Sequence, residues 1–189
     1  MASSANVSEA SGQQWFAIRV RPRSEQVVAT SAGNRGFETF LPVFEARRKW
    51  SDRYQTVELP LFPGYIFSRL KVENRLPLLM IPNVLHFVGI GRTPVPVDTE
   101  EINAIQTAVR SGLLTEPWPF LTVGQKVRLE EGPLAGIEGV LVEVRKQRRL
   151  VVSVSLLGRS IAVVIDRHWV RPVDRLHCET GPFIAAVAG

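Results

Sequence analysis

The chain holds 189 residues, 45% of them hydrophobic and 22% charged, with a formal net charge of +5. That is the composition of a soluble globular protein long enough for one medium domain or two small ones. One cysteine, Cys178, excludes an internal disulfide and a cysteine-built metal or redox centre, and no apolar run approaches the ~20 residues that span a bilayer. The expectations are a cytoplasmic location, no membrane partner and, from the modest basic excess, a polyanionic or acidic partner.

Residues 1–12 lack the basic and apolar regions of a signal peptide and read as a flexible tail. Trp15 to Arg21 is rich in aromatic and β-branched residues and predicts a strand. Ser24 then caps a helix running to Asn34, with Val27, Val28 and Ala32 inward. Phe37 to Phe44 predicts a second strand with a break at Leu41-Pro42, and the polar stretch Glu45 to Gln55 a long hairpin connection. The next stretch, Leu59 to Ser68, reads LPLFPGYIFS. Pro60 and Pro63 forbid a helix, Gly64 permits a sharp reversal, and Tyr65 to Leu70 resumes as a strand. Arg75 to Met80 is a short helical turn ended by Pro82, Val84 to Ile90 a strand, and Asp98 caps a helix with Glu101 at capping-box spacing. Ile102, Ile105, Ala108 and Val109 form that helix's buried stripe, so residues 13–111 read as an α+β sandwich, an antiparallel sheet with helices.

Gly112, Pro117 and Pro119 mark 112–120 as a linker. Short β runs follow at Gln125–Glu130, Ile137–Arg145, Leu150–Leu157, Ile161–Asp166 and Trp169–Val173, the pattern of a small barrel over 121–173, with 174–189 as a second tail. Gly132, Gly136 and Gly139 suit tight turns better than a phosphate loop, because no Lys-Ser or Lys-Thr follows and a strand comes next. Leu150, Val152, Val154 and Leu156 alternate inward, which turns Leu157 outward beside Gly158 and Arg159.

His86, His168 and His177 form no ligand pair, and Asp98, Glu100 and Glu101 suit a helix N-terminus. No catalytic constellation, metal site or cofactor motif is present, so no enzyme is expected. Phe62, Pro63, Gly64, Tyr65 and Phe67, with Val84 and Phe87 from the next strand, are candidates for an apolar pocket open to solvent. The same rings also suit an ordinary core strand. Arg19, Arg21 and Arg23 form one basic row, and Arg47, Arg48 and Lys49 with Trp50 a second cluster able to pair phosphates and stack a base. Arg145, Lys146, Arg148 and Arg149 gather at a hairpin tip.

Three motifs carry a resemblance. FPGY within its strand, VRLEEGPLAGIEGVLVEV, which looks like a KOW motif, and LVVSVSLLGRSIAVVI occur in the order found in the NusG family. The similarity covers roughly Gln14 to Val173, and RVRPR, RRKWSDR and EPWPFL look more like the specialised UpxY and RfaH-type paralogues. The resemblance implies an NGN-type domain joined to an SH3-like KOW barrel. The aromatic pocket would dock on the clamp helices of RNA polymerase, and the basic residues would lie beside non-template DNA in the transcription bubble. Leu157, Gly158 and Arg159 would take a barrel partner, ribosomal protein S10 before Rho, although leucine stands where the general factor usually has the aromatic that helps hold either one, which weakens the transfer. Arg75-Leu76-Pro77 occupies the place of the His-Thr-Thr motif of RfaH, so that contact does not carry over. The expected function is elongation and antitermination by a monomer on selected long operons; the alternative is a ribosome-associated KOW-type RNA-binding protein. Val and Ile density over 137–166, interrupted by Gly139 and Gly158, predicts a constitutive barrel rather than a helical hairpin.

Overall fold

The computed structural model describes residues 12–50, 53–118, 125–144, 147–166 and 169–172, with only the backbone described at 48–50, 125, 143–144, 147 and 171–172. The expected tails at 1–12 and 174–189, apart from Gly12, lie outside these residues, as do His168, His177 and Cys178. In chain order the first half runs β1 (Gln14–Val20), α1 (Glu25–Asn34), β2 (Glu38–Phe40), β3 (Val43–Trp50), β4 (Arg53–Pro60) and β5 (Tyr65–Leu70). It continues through α2 (Leu76–Leu79), β6 (Val84–Phe87), β7 (Gly89–Ile90), β8 (Thr93–Pro94), β9 (Pro96–Val97) and α3 (Thr99–Arg110). The second half is all β: β10 (Thr115–Trp118), β11 (Gln125–Leu129), β12 (Glu138–Val144), β13 (Gln147–Val154), β14 (Arg159–Ile165) and β15 (Val170–Pro172).

β1 is the centre of the first sheet. It pairs antiparallel with β5 from Gln14↔Leu70 to Arg19↔Tyr65, and its other edge is shared by β6 and β9. Both faces of β1 are apolar because both are covered. Phe16, Ile18 and Val20 pack with Val28 and Ala32 of α1, Leu78 of α2 and Ile66 and Phe87. Trp15 and Ala17 point the other way, towards Phe62, Phe67 and the Ile102–Ile105–Ala108 stripe of α3. Val27, expected inward, is 62% exposed, since α1 presents only the Val28–Ala32 line to the sheet. Asp98 caps α3 by accepting from the Glu100 amide at 2.8 Å. The polar hairpin connection is itself structured, as β3 and β4 form a two-stranded arm from Val43↔Pro60 to Trp50↔Arg53.

The second sheet runs β10-β14-β13-β12-β11-β15. Alternation along β13 and β14 sends Leu150, Val152, Val154, Ile161, Val163 and Ile165 into one core. Gly139 is required where β12 crosses β13, for a Cβ there would lie 2.6 Å from the Val151 carbonyl oxygen. Part of the expected linker belongs to this sheet: Thr115–Trp118 pairs with Val163–Ser160 of β14. Pro117 is tolerated because β10 is an edge strand. Residues 119–120 lie outside the described residues. The two halves share one contiguous apolar cluster in which Phe62, Phe67 and Ile102 are continuous with the β13–β14 core. Among the described residues, no helix is long and apolar enough to cross a membrane.

Candidate protein-docking site

The FPGY turn is held by backbone bonds at both ends. The Leu61 amide donates to the Pro42 carbonyl (2.9 Å), the Tyr65 amide to the Phe62 carbonyl (3.0 Å) and the Val20 amide to the Gly64 carbonyl (2.9 Å). Gly64 has φ +81°, a conformation that disfavours any side chain. Its amide donates to the Glu25 Oε1 at 2.7 Å, inside the protein, where Glu25 is 5% exposed. Glu25 opens α1, where a carboxylate ordinarily complements the helix dipole in solvent. Sequence reasoning missed it because that ordinary role explains the residue fully; only the tertiary turn brings Gly64 to it.

Beyond the turn, Phe62 and Phe67 meet edge to face with centroids 5.7 Å apart, and Phe40 lies 6.2 Å from Phe67. Both Phe62 and Phe67 are buried, Pro63 is exposed and Tyr65 is half-buried. Tyr65 therefore carries the accessible part of this aromatic set. Arg19, its cross-strand partner, lays its guanidinium 4.5 Å from the Tyr65 ring centroid. The same guanidinium occupies the space above Gly64, where a Cβ would lie 2.7 Å from Arg19 Nη1.

The predicted pocket is not a single site. Phe87 is the cross-strand neighbour of Ile18, and Val84 of Val20, so both project to the α1 face with Ile66 and Phe16. Phe16 and Phe87 are in edge contact at 6.0 Å. The sheet separates them from Tyr65 and Phe67. On the Tyr65 side the neighbours are Ala17 and Val88.

A turn of the barrel closes over this face. Ser155–Leu157 forms one 3-10 turn ended by Gly158 at φ +57°, and Arg159 then places its guanidinium 5.4 Å from the Tyr65 centroid. The Ser155 amide donates to both oxygens of Glu101, at 3.1 and 3.2 Å. The turn at 155–157 ends the expected alternation, so Leu157 is not outward. Leu156 and Leu157 are both half-buried against the shared apolar cluster. The two candidate protein-binding sets, around Tyr65 and around Leu157–Arg159, thus face each other.

The basic residues divide. Arg21 and Arg23 are exposed beyond β1, whereas Arg19 is turned into the aromatic corner instead of continuing their row. On the β3–β4 arm Arg47 lies 5.3 Å from the ring of Tyr54, which is 65% exposed. The side chains of Arg48, Lys49 and Trp50 lie outside the described residues, although their backbone runs along the same arm. At the barrel hairpin, Arg145 and Lys146 also lie outside them. Arg149 is not a free tip charge, because it pairs with Glu116 and stacks 5.2 Å from Trp118. Among the described residues, no three His, Cys, Asp or Glu side chains gather as a metal site.

Residues 13–106 match the family described as "Transcription termination factor nusG". The chain is 28% identical over 174 residues to the "Transcription termination/antitermination protein NusG" of Escherichia coli strain K12, covering 85% of this chain and 96% of that protein. The Campylobacter jejuni protein of the same description is 28% identical over 167 residues, covering 82% and 94%. Among solved structures, "Domain interaction in Thermotoga maritima NusG" superposes with a TM-score of 0.54 at 23% identity over 87% of this chain and 99% of that one, a likeness of fold.

Proposed function

The chain belongs to the NusG family of transcription factors, and on that premise we propose that it is a non-enzymatic elongation and antitermination factor that docks on the clamp helices of RNA polymerase through its Tyr65 face. One observation carries this reading: the apolar set behind Tyr65 is continuous with the barrel core, so this face already holds a protein surface. Aromatic anchors of this kind dominate protein interfaces. The division into a polymerase-binding domain at 13–111 and a partner-recruiting barrel at 121–173 belongs to the same proposal.

Docking on that face requires the Ser155–Arg159 turn to leave it, because Arg159 covers the Tyr65 ring and Glu101 holds Ser155. The contact is partly polar and solvent-reached, which suits a reversible seam. Once free, the same turn is available to a second partner, for which ribosomal protein S10 fits the family better than Rho. Exposed Arg21 and Arg23 and the Arg47–Tyr54 arm offer charge and a stacking ring to non-template DNA. Action on selected long operons is the finer form of the proposal. The alternative of a ribosome-associated RNA-binding protein is the weaker reading, since Arg149 of the barrel tip is paired within the chain.

Single-round transcription across a strong pause tests the function. Full-length protein should shorten the pause, and Tyr65→Ala should remove that effect. An unchanged pause with wild-type protein would contradict the proposal.

A further inference from the structure

Among the described residues, the Arg19 guanidinium is in no ion pair. Its Nη1 is buried and, among the described residues, has no hydrogen-bond partner. The described ion pairs join Arg69 to Glu38, Arg128 to Glu138 and Arg149 to Glu116, none of them at this corner. The nearby carboxylate of Glu25 is directed at the Gly64 amide. Stacking on Tyr65 offsets part of the desolvation of a guanidinium, but it satisfies no N–H. Arg159 brings a second guanidinium to the same ring, so the closed seam adds like charge to the corner.

We propose that Arg19 is the seat for a carboxylate side chain of the docking protein, inserted beside the Tyr65 ring. A carboxylate matches the guanidinium fork through paired N–H···O bonds, and the apolar surroundings of Phe62 and Phe67 strengthen such a pair relative to water. A protein carboxylate fits better than a DNA phosphate for a geometric reason. The unsatisfied nitrogen lies against Gly64 and is covered in the closed seam, so the seat is filled by a flexible side chain that enters once the Ser155–Arg159 turn has left. A nucleic-acid backbone meets the exposed Arg21 and Arg23 first. The seat gives the docking face an orientation as well as apolar area. It also accounts for an arginine placed in the corner rather than in the exposed row.

This inference rests on the polymerase-docking reading, and its test separates the two. Binding of the full chain to core RNA polymerase free of nucleic acid is titrated over a range of salt for wild type, Arg19→Met and Arg19→Lys. Thermal unfolding of each variant checks the fold. The seat predicts that Arg19→Met binds at least tenfold more weakly at low salt with a flatter salt dependence. Arg19→Lys, which keeps charge without the fork, should recover only part of the affinity and carries the test if the Met variant does not fold. Arg19→Met binding within twofold of wild type, with unchanged salt dependence, would overturn the seat while leaving docking intact. A loss seen only when bubble DNA is added would overturn it in favour of a phosphate. Absence of wild-type binding would sink the docking reading, and the seat with it.

Discussion

The Glu101 carboxylate accepts from the Ser155 amide through both oxygens, at 3.1 and 3.2 Å, and so ties the first turn of α3 to the barrel turn that covers Tyr65. Glu101 stands at the capping-box position, three residues after Asp98, where such a side chain normally bonds back to the cap amide. Here it reaches across to the other half of the chain.

Glu101→Ala should therefore loosen the seam. The contact is solvent-exposed, so its net worth is about 0.5–1 kcal/mol once screening is allowed for. Affinity for core polymerase should rise about two- to fivefold. Arg159→Ala should act in the same direction, and the double variant should approach the sum, measured by fluorescence titration. Weaker binding in both variants would mean that the turn assists docking instead of covering the site.

The Gly64 amide depends on Glu25. Replacing Glu25 with Ala leaves a buried N–H without its acceptor, a loss of about 1–3 kcal/mol. Glu25→Gln keeps an acceptor oxygen at the same reach and should lose less. Urea unfolding of the two variants should rank them in that order. Equal midpoints would show that the bond carries no weight.

Phe67 and Tyr65, two residues apart on one face of β5, should part company on substitution. Phe67 is fully buried and touches Phe40 and Phe62, so Phe67→Ala should destabilise by about 3–5 kcal/mol. Tyr65 is half-buried, and Tyr65→Ala should leave the fold largely intact. Calorimetry of the two variants checks this. Similar unfolding temperatures would contradict the assignment of Phe67 to the core and Tyr65 to the surface.

That contrast shows where sequence reasoning reached and where it stopped. Alternation puts Tyr65 and Phe67 on one face, as the structure does, and the α3 stripe and the inward set of β13 likewise face the core. Alternation within one strand says nothing about the register of the next. The sequence therefore leaves Val84 and Phe87 free to join Tyr65, whereas pairing with Val20 and Ile18 sends them to the opposite face. Leu157 failed for a related reason: period-two counting ran through Ser155–Leu157, where the chain leaves the strand for a turn. Arg19 and Arg149 look like surface charges in a basic sequence, and only long-range packing against Tyr65 and Trp118 shows otherwise.

The β3–β4 arm should act on nucleic acid and not on polymerase. Arg47→Ala with Tyr54→Ala removes one charge and one stacking ring, which together are worth about 1–3 kcal/mol on a single strand. Affinity for an elongation complex with an exposed non-template strand should fall, most strongly at low salt, while affinity for core polymerase stays unchanged. A loss shared by both complexes would assign the arm to the polymerase surface.

The central claim is that the Tyr65 face is the polymerase-docking surface. Its most direct test is equilibrium binding of the full chain to purified core RNA polymerase, wild type against Tyr65→Ala, with matched thermal unfolding. The account predicts measurable wild-type binding that falls at least tenfold in Tyr65→Ala without loss of fold. Equal binding by the two proteins would contradict it and place the docking surface elsewhere on the chain.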